Sequence, residues 1–174
     1  MHCNFTPFPT LTTDRMVLRR IDLSDDNEIF YERSDKTINE FIDRAPAATI
    51  EDARNWITMI SNLMANNEGV TWGLTLKGDP KLMGGFCFWN FSKENNTADA
   101  GFSLHPEHWG KGLMQEALDV CIPFGFEVMQ LSTIVADTHF NNIRSRKLLE
   151  RNGFVFQGPG DNNYVIYHLG NPAL

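Results

Sequence analysis

Cysteine is scarce in this chain: there are three, at positions 3, 87 and 121. One is left over in any disulfide scheme and none forms a CxxC pair, so neither a disulfide framework nor a zinc site is expected. A reduced, cytoplasmic setting is the expectation that follows. Positive charge is also short, with 15 Lys+Arg against 22 Asp+Glu and a net charge of −7. That balance argues against nucleic acid as a partner, because such binding depends on neutralising phosphates. No apolar run reaches the ~18–20 residues of a membrane span. The opening MHCNFTPFPT has no basic region followed by an apolar stretch, so no signal peptide and no membrane partner are expected. Repeats, low-complexity tracts and long Pro/Gly/Ser linkers are absent too. What remains is 174 residues with 42% hydrophobic and 21% charged content, the profile of one globular domain over residues 1–174.

The periodicities sort the chain into elements. Met16 to Arg20 reads as a strand. Asp22 or Ser24 is placed to cap a helix over Asp25–Ser34. Thr49-Ile-Glu-Asp52 has the form of a capping box. Behind it Ala53, Trp56, Ile57, Ile60, Leu63 and Met64 recur at three and four, which predicts an amphipathic helix ending near Asn66. The period then changes. Val70–Lys77, Leu82–Phe91 and Thr97–Leu104 are rich in aromatic and β-branched residues, with Gly78-Asp79 and Asn95-Asn96 as turns, and read as an antiparallel meander. Gly112 to Met129 is helical again, with a break expected at Pro123. A strand over Ser132–Thr138, a helix over Ile143–Asn152 stopped by Gly153, and strands Phe154–Gln157 and Tyr164–Leu169 complete the chain. The order predicts an α+β fold with a βαβ crossover after the meander.

Chemistry concentrates in Phe102-Ser-Leu-His-Pro-Glu-His-Trp-Gly-Lys-Gly-Leu-Met-Gln-Glu-Ala117. A strand ends near Leu104, Pro106 turns the chain, and Trp109-Gly-Lys-Gly112 leads into a helix. Glycines there let successive N–H groups face one point, and the helix start adds partial positive charge: a phosphate-sized anion site. A Walker loop is excluded because Leu113 follows Gly112. A dinucleotide fingerprint is excluded because Gln115 stands where its third glycine belongs. His105 and His108 flank a proline turn without further clustered ligands, so no metal is expected. Cys87 and Cys121 lie in apolar runs and read as core, as do most of Trp56, Trp72, Phe86, Phe88, Trp89 and Phe91.

The segment resembles the acetyl-coenzyme-A pyrophosphate loop of the GNAT superfamily of N-acetyltransferases, most closely its ribosomal-protein (Rim-type) branch. Gly101 to Ala117 is similar to the branch pattern G-Y-x-L-x-P-x-x-W-G-K-G-x-x-x-E-A. Asn142, Ser145, Leu148, Leu149, Gly153 and Phe154 match its N-x-x-S-x-x-L-L-x-x-x-G-F block. Thr12 to Arg19, Glu51 to Trp56 and Gly84-Gly85 resemble its first strand, second helix and third-strand glycine. The likeness runs through roughly residues 10–170. Two positions depart: Met114 stands where a small residue is usual, and Leu149 where many members carry a tyrosine that protonates the leaving thiolate.

The resemblance implies a GNAT-like, mostly antiparallel central sheet flanked by helices. It implies acetyl-CoA as acetyl donor and a small-molecule or peptide amine as acceptor, with a homodimer common in the family. It further implies that Phe102, Ser103 and Leu104 run beside the pantetheine. The donor phosphates fall to Trp109, Gly110, Lys111, Gly112, Leu113 and Met114. Asn142 and Ser145 hold the thiol end, with Ser145 as acid or thiol-orienting hydroxyl and Asp99 as base. Arg146 or Lys147 is the expected partner of a 3′-phosphate. A splay between Thr97–Leu104 and Ser132–Thr138 must then exist. The same scaffold without catalysis, an acyl-CoA-binding sensor or interaction module, is the alternative.

Overall fold

The computed structural model describes residues 1–173. In chain order they form β1 (Leu11–Thr12), β2 (Met16–Arg20), α1 (Asp26–Ser34), α2 (Ile50–Ala65), β3 (Val70–Leu76), β4 (Leu82–Ser92) and β5 (Thr97–Leu104). There follow α3 (Leu113–Pro123), β6 (Thr133–His139), α4 (Ile143–Arg151), β7 (Val155–Pro159) and β8 (Tyr164–Gly170). The strands make one mixed sheet ordered β1-β2-β3-β4-β5-β6-β8-β7. β5 and β6 are its parallel pair; the other neighbours are antiparallel. A parallel pair needs a crossover, and α3 supplies it. β1, two residues long, has no periodicity to read and was not expected from the sequence.

Local chemistry explains the boundaries. Asp22, not Ser24, is the cap: it accepts the Ser24 N–H, and Asp25 returns a bond to the Asp22 N–H at 2.9 Å. This box closes a short 3₁₀ turn over Leu23–Asp25, so α1 starts at Asp26, one residue later than expected. The Thr49–Asp52 box opens α2. At Pro123, which lacks an N–H, the α-helix gives way to a wider π-helical turn over Phe124–Val128 rather than to a loop.

The sheet carries α1 and α2 on one face and α3 and α4 on the other. The Gln115 and Asn152 amides lock α3 to α4 by two reciprocal bonds of 2.7 and 3.0 Å. Beneath them Trp72, Phe86, Phe88, Leu118, Cys121, Ile134 and Tyr167 are buried in the main core. Ile21, Ile29, Ala53, Ile57 and Ile60 form the smaller core under α1 and α2. No described helix is long and apolar enough to cross a membrane.

Candidate active site

β5 and β6 begin side by side and then part. Their pairing runs Thr97↔Thr133, Ala98↔Ile134, Asp99↔Val135 and stops. Beyond that point β5 stays bonded to β4 as far as Gly84↔Leu104, while β6 stays bonded to β8 as far as His139↔Tyr164. The edge of Ala100–Ser103 that faces away from β4 therefore borders a cleft, where its outward N–H and C=O groups can bind an extended ligand. This is the splay that the resemblance implied, and it opens beside Asp99. Gly84 makes the close approach possible. With φ +150°, a Cβ there would lie 2.2 Å from the Ser103 carbonyl oxygen.

The cleft leads to the loop before α3. Gly110 and Gly112 both take positive φ, 72° and 74°. No side chain caps the first turn of α3; the Glu116 N–H bonds the Gly112 carbonyl, and those of Leu113, Met114 and Gln115 have no partner among the described residues. A Cβ at Gly110 would meet nothing within 4 Å. Leu113 and Met114 turn their side chains into the core, 3% and 8% exposed, and present backbone only. Met114 thus leaves the approach to the N–H groups clear. The residues fit a bound pyrophosphate: open donors, a helix dipole and no obstructing side chain.

Two long-range braces hold this loop. Glu116, in the first turn of α3, accepts from the Thr13 hydroxyl, from the Arg15 N–H at 2.8 Å and from Arg15 Nε at 2.6 Å. Arg15 also donates to the Lys111 carbonyl at 3.0 Å. Trp109 donates its indole N–H to the Leu104 carbonyl at 2.7 Å, and Arg144 of α4 stacks 4.2 Å from its ring centroid. Trp109 is therefore a strut between β5 and α4. Arg146 is turned elsewhere, to the Tyr167 hydroxyl and the Phe140 carbonyl, 3.2 Å each. Arg144 is the α4 cation that stacks on the loop, and Lys147, three residues on, is exposed. Neither brace has a local sequence period, though Glu116 and Trp109 both stand in the motif.

Asp99 lies on the α1 face of β5, since its neighbours Ala98 and Ala100 are buried in the main core beneath α3. Asn90 donates to its carboxylate at 2.8 Å. Burial, with the nearby Asp137 carboxylate adding to it, holds its carboxyl above the ordinary range. Asn142 caps α4 by accepting the Ser145 N–H at 3.2 Å. Ser34 and Thr58 tie their hydroxyls to carbonyls four residues back; Ser145 makes no such bond among the described residues. Leu149, where a tyrosine is usual, is 1% exposed and fills the core.

Sequence reasoning missed Glu32. It reaches from α1 to accept from the Ser103 hydroxyl at 2.8 Å and lies 3.8 Å from His105 Nε2. That second distance is too long for a hydrogen bond, so the contact is electrostatic. Burial raises the Glu32 carboxyl, but His105 and Ser103 together outweigh burial and hold it low. Cys87, beside Gly101 on the same face, has its thiol pushed up to about 12 chiefly by burial. A cavity of about 500 Å³ lined by Arg20, Asp22, Ile57 and Asn62 lies apart from all these residues.

The chain matches known proteins along nearly its whole length. The acetyltransferase (GNAT) domain family matches residues 15–155. The uncharacterized N-acetyltransferase YoaA of Bacillus subtilis (strain 168) is 30% identical over 165 residues, 95% of this chain and 92% of that protein. The crystal structure of the ribosomal-protein-S5-alanine acetyltransferase from Vibrio fischeri superposes with a TM-score of 0.81 at 22% identity, covering 94% of this chain and 97% of the other. The microcin C7 self-immunity acetyltransferase MccE, solved with acetyl-CoA and AMP, superposes with a TM-score of 0.78 at 20% identity over 90% of this chain and 93% of the other. The splayed β5–β6 pair, the glycine loop at α3 and this family match agree: the chain is a member of the GNAT family of acetyl-CoA-dependent acetyltransferases.

Proposed function

We propose that the protein transfers an acetyl group from acetyl-CoA to a primary amine by direct attack in a ternary complex, as one domain. The observation that carries this reading is the end of β5–β6 pairing at Asp99, with the open first turn of α3 beyond it. Acetyl-CoA, when bound, supplies the activated acyl group. Phe102, Ser103 and Leu104 present backbone to the pantetheine, and Trp109 to Met114 hold the pyrophosphate. Asn142 fixes the start of α4, so that Ser145 points its hydroxyl at the thiol end.

An amine with a pKa near ~10 is almost wholly protonated at neutral pH. Asp99, at the mouth of the splay with a raised pKa, takes that proton directly or through a water. Ser145 gives a proton to the departing thiolate, the role that Leu149 does not fill. Cys87 is the thiol nearest this face, and at a pKa of about 12 it is held as a thiol. That favours direct transfer over an acetyl-enzyme. The acceptor is a protein N-terminus or a small amine; the Vibrio fischeri protein is named for an alanine of ribosomal protein S5.

Calorimetric titration with acetyl-CoA, with ATP as control, tests the donor half. One-site binding that ATP does not give, and that Gly112→Pro removes by forbidding the positive φ, supports it. No binding by well-folded protein overturns it. Release of CoA thiol with an amine panel then separates an enzyme from a sensor.

A further inference from the structure

The segment between α1 and α2, residues 35–49, is a strap over the splay. At one end Asn39 donates to the Glu32 and Asp35 carbonyls at 2.8 and 2.7 Å, and the Ala47 N–H reaches the Arg33 carbonyl at 3.0 Å. At the other, the Tyr164 hydroxyl accepts the Asp43 N–H at 2.9 Å and donates to the Phe41 carbonyl at 2.8 Å. Phe41 stacks on His139 at 5.5 Å, and Asn162 bonds the Asp43 carboxylate at 3.1 Å. Glu32 belongs to the β5 side through Ser103, whereas His139 and Tyr164 belong to β6 and β8. The strap thus bridges the cleft on the face that carries Asp99.

Two cations, Arg33 in the last turn of α1 and Arg44 in the strap, are unusual. Arg15, Arg19 and Arg54 each meet a carboxylate at 2.6 to 2.8 Å. Arg33 and Arg44, both half-buried, form no ion pair among the described residues. Arg44 is held by neutral groups, through Nε to Asn39 Oδ1 at 2.8 Å and through a terminal nitrogen to the Glu32 carbonyl at 3.3 Å. It lies within electrostatic reach of the Glu32 carboxylate and the Tyr164 phenol. Arg33 stacks 4.9 Å from the Trp56 ring centroid. Burial, and for Arg33 the neighbouring Arg44, lowers both, Arg33 to about 10. Both guanidiniums still stay charged, so their lost hydration is only partly replaced. A bound oxyanion replaces it best, because the guanidinium fork matches carboxylate and phosphate geometry.

The floor of the same cleft has the opposite sign, Asp99 on β5 and Asp137 on β6. Arg33 at the end of α1 and Arg44 in the strap thus stand across the cleft from those carboxylates. The strap's own Asp35 is occupied by the Thr37 and Ile38 N–H groups and its Asp43 by Asn162. We infer that Arg44, backed by Arg33, binds an oxyanion carried by the acceptor, so that the preferred substrate is an amine that also bears a carboxylate or phosphate. The inference rests on the acetyltransfer reading above and names its substrate class. A small anionic amine and an acidic N-terminal peptide share this chemistry.

The test uses the full chain and matched acceptor pairs: amino acids against their carboxamides, an aminoalkyl phosphate against its amino alcohol, and Asp/Glu-bearing tetrapeptides against Asn/Gln counterparts. Acetyl-CoA affinity and melting temperature are measured alongside. The anionic member of at least one pair should have a kcat/KM about tenfold or more higher, the size of a charge-assisted contact. Arg44→Gln should bring that ratio near one by raising KM for the anionic member, with the neutral member and acetyl-CoA affinity unchanged. Arg33→Gln should do so partially. The pair that responds tells a small metabolite from a peptide. Equal use of both members, no turnover of any anionic member by protein that binds acetyl-CoA, or a preference that survives in the double variant would overturn the assignment and leave the donor reading intact. Failure to bind acetyl-CoA at all would sink both.

Discussion

Arg15 and Glu116 join the entry of the sheet to the first turn of α3 across 101 positions of sequence, through a 2.6 Å ion pair and a 2.8 Å bond to the Arg15 backbone. The same arginine holds the Lys111 carbonyl at 3.0 Å. The pair thereby sets the angle at which the α3 N–H groups meet the cleft. Burial alone raises the Glu116 carboxyl, but the bonds from Thr13 and Arg15 outweigh it and hold the carboxyl low. A carboxyl depressed in the folded state adds stability above its unfolded pKa and loses it as pH falls through the folded value.

Glu116→Ala should therefore weaken acetyl-CoA binding more than it weakens the fold. The Kd measured by calorimetry should rise about tenfold, the scale of losing charge-assisted bonds that position the loop. The melting temperature should fall by only about 2–4 °C, equivalent to about 1 kcal/mol in a chain of this size. A large melting loss with an unchanged Kd would show that the brace serves the fold and not the loop.

Asp99 gives a pH prediction with the opposite sign. Its carboxyl is raised in the folded state, first by burial and then by Asp137. Ionising it counts against the fold, so stability from this group is present while it is protonated and is lost as pH rises through its folded pKa. Asp99→Asn should leave the melting temperature at pH 7 unchanged or higher. It should also lower kcat by about 10²- to 10⁴-fold, the usual worth of a general base. The wild type should gain kcat/KM as pH climbs past the ordinary carboxylate range, and the variant should lose that limb. A variant that keeps its kcat removes Asp99 from the mechanism.

Most elements were legible because their causes are local. The three-and-four spacing of Ala53 to Met64 becomes α2, the Thr49 box starts it, and Asn142 caps α4. The Gly110-Lys-Gly112 turn was legible for the same reason: glycine at positive φ before a helix is a short-range signal. Roles set across the sheet left no such trace. Trp109 reads as a loop residue until its indole is seen on Leu104 and its ring under Arg144. Arg33 and Arg44 look like solvated charges until the strap is folded over the cleft. Helical spacing puts Arg144 and Arg146 on different sides of α4, but only the fold shows that Arg144 is the one against Trp109 while Arg146 bonds Tyr167 and Phe140.

Gly84 offers a test of the cleft's shape. Any side chain there meets the Ser103 carbonyl oxygen at 2.2 Å and the Leu104 Cα at 2.8 Å, at a φ of +150° that disfavours L residues. Gly84→Ala should push β5 toward the opening beside Ser103 and Leu104. The expected cost is about 2–4 kcal/mol, from backbone strain plus overpacking. Acetyl-CoA affinity should fall in protein that is still folded at low temperature. Gly78→Ala, a glycine at φ +84° with nothing within 4 Å of its Cβ position, separates strain alone from the clash. Its melting temperature should fall less and its acetyl-CoA affinity should hold.

Leu149 bears on which residue protonates the thiolate. Many relatives of this fold place a tyrosine there, so Leu149→Tyr looks like a repair. Here Leu149 is 1% exposed and packs in the core that holds Phe154 and Tyr167. A phenol at that position overfills a closed core and needs a hydrogen-bond partner that the leucine did not. The variant should therefore lose about 1–3 kcal/mol of stability and gain no kcat. Ser145→Ala should lower kcat at unchanged acetyl-CoA affinity, since Ser145 offers its hydroxyl and keeps its N–H on Asn142. If Leu149→Tyr instead raised kcat and restored turnover in the Ser145→Ala background, the core would be more open than its packing indicates. The acid role would then belong to position 149.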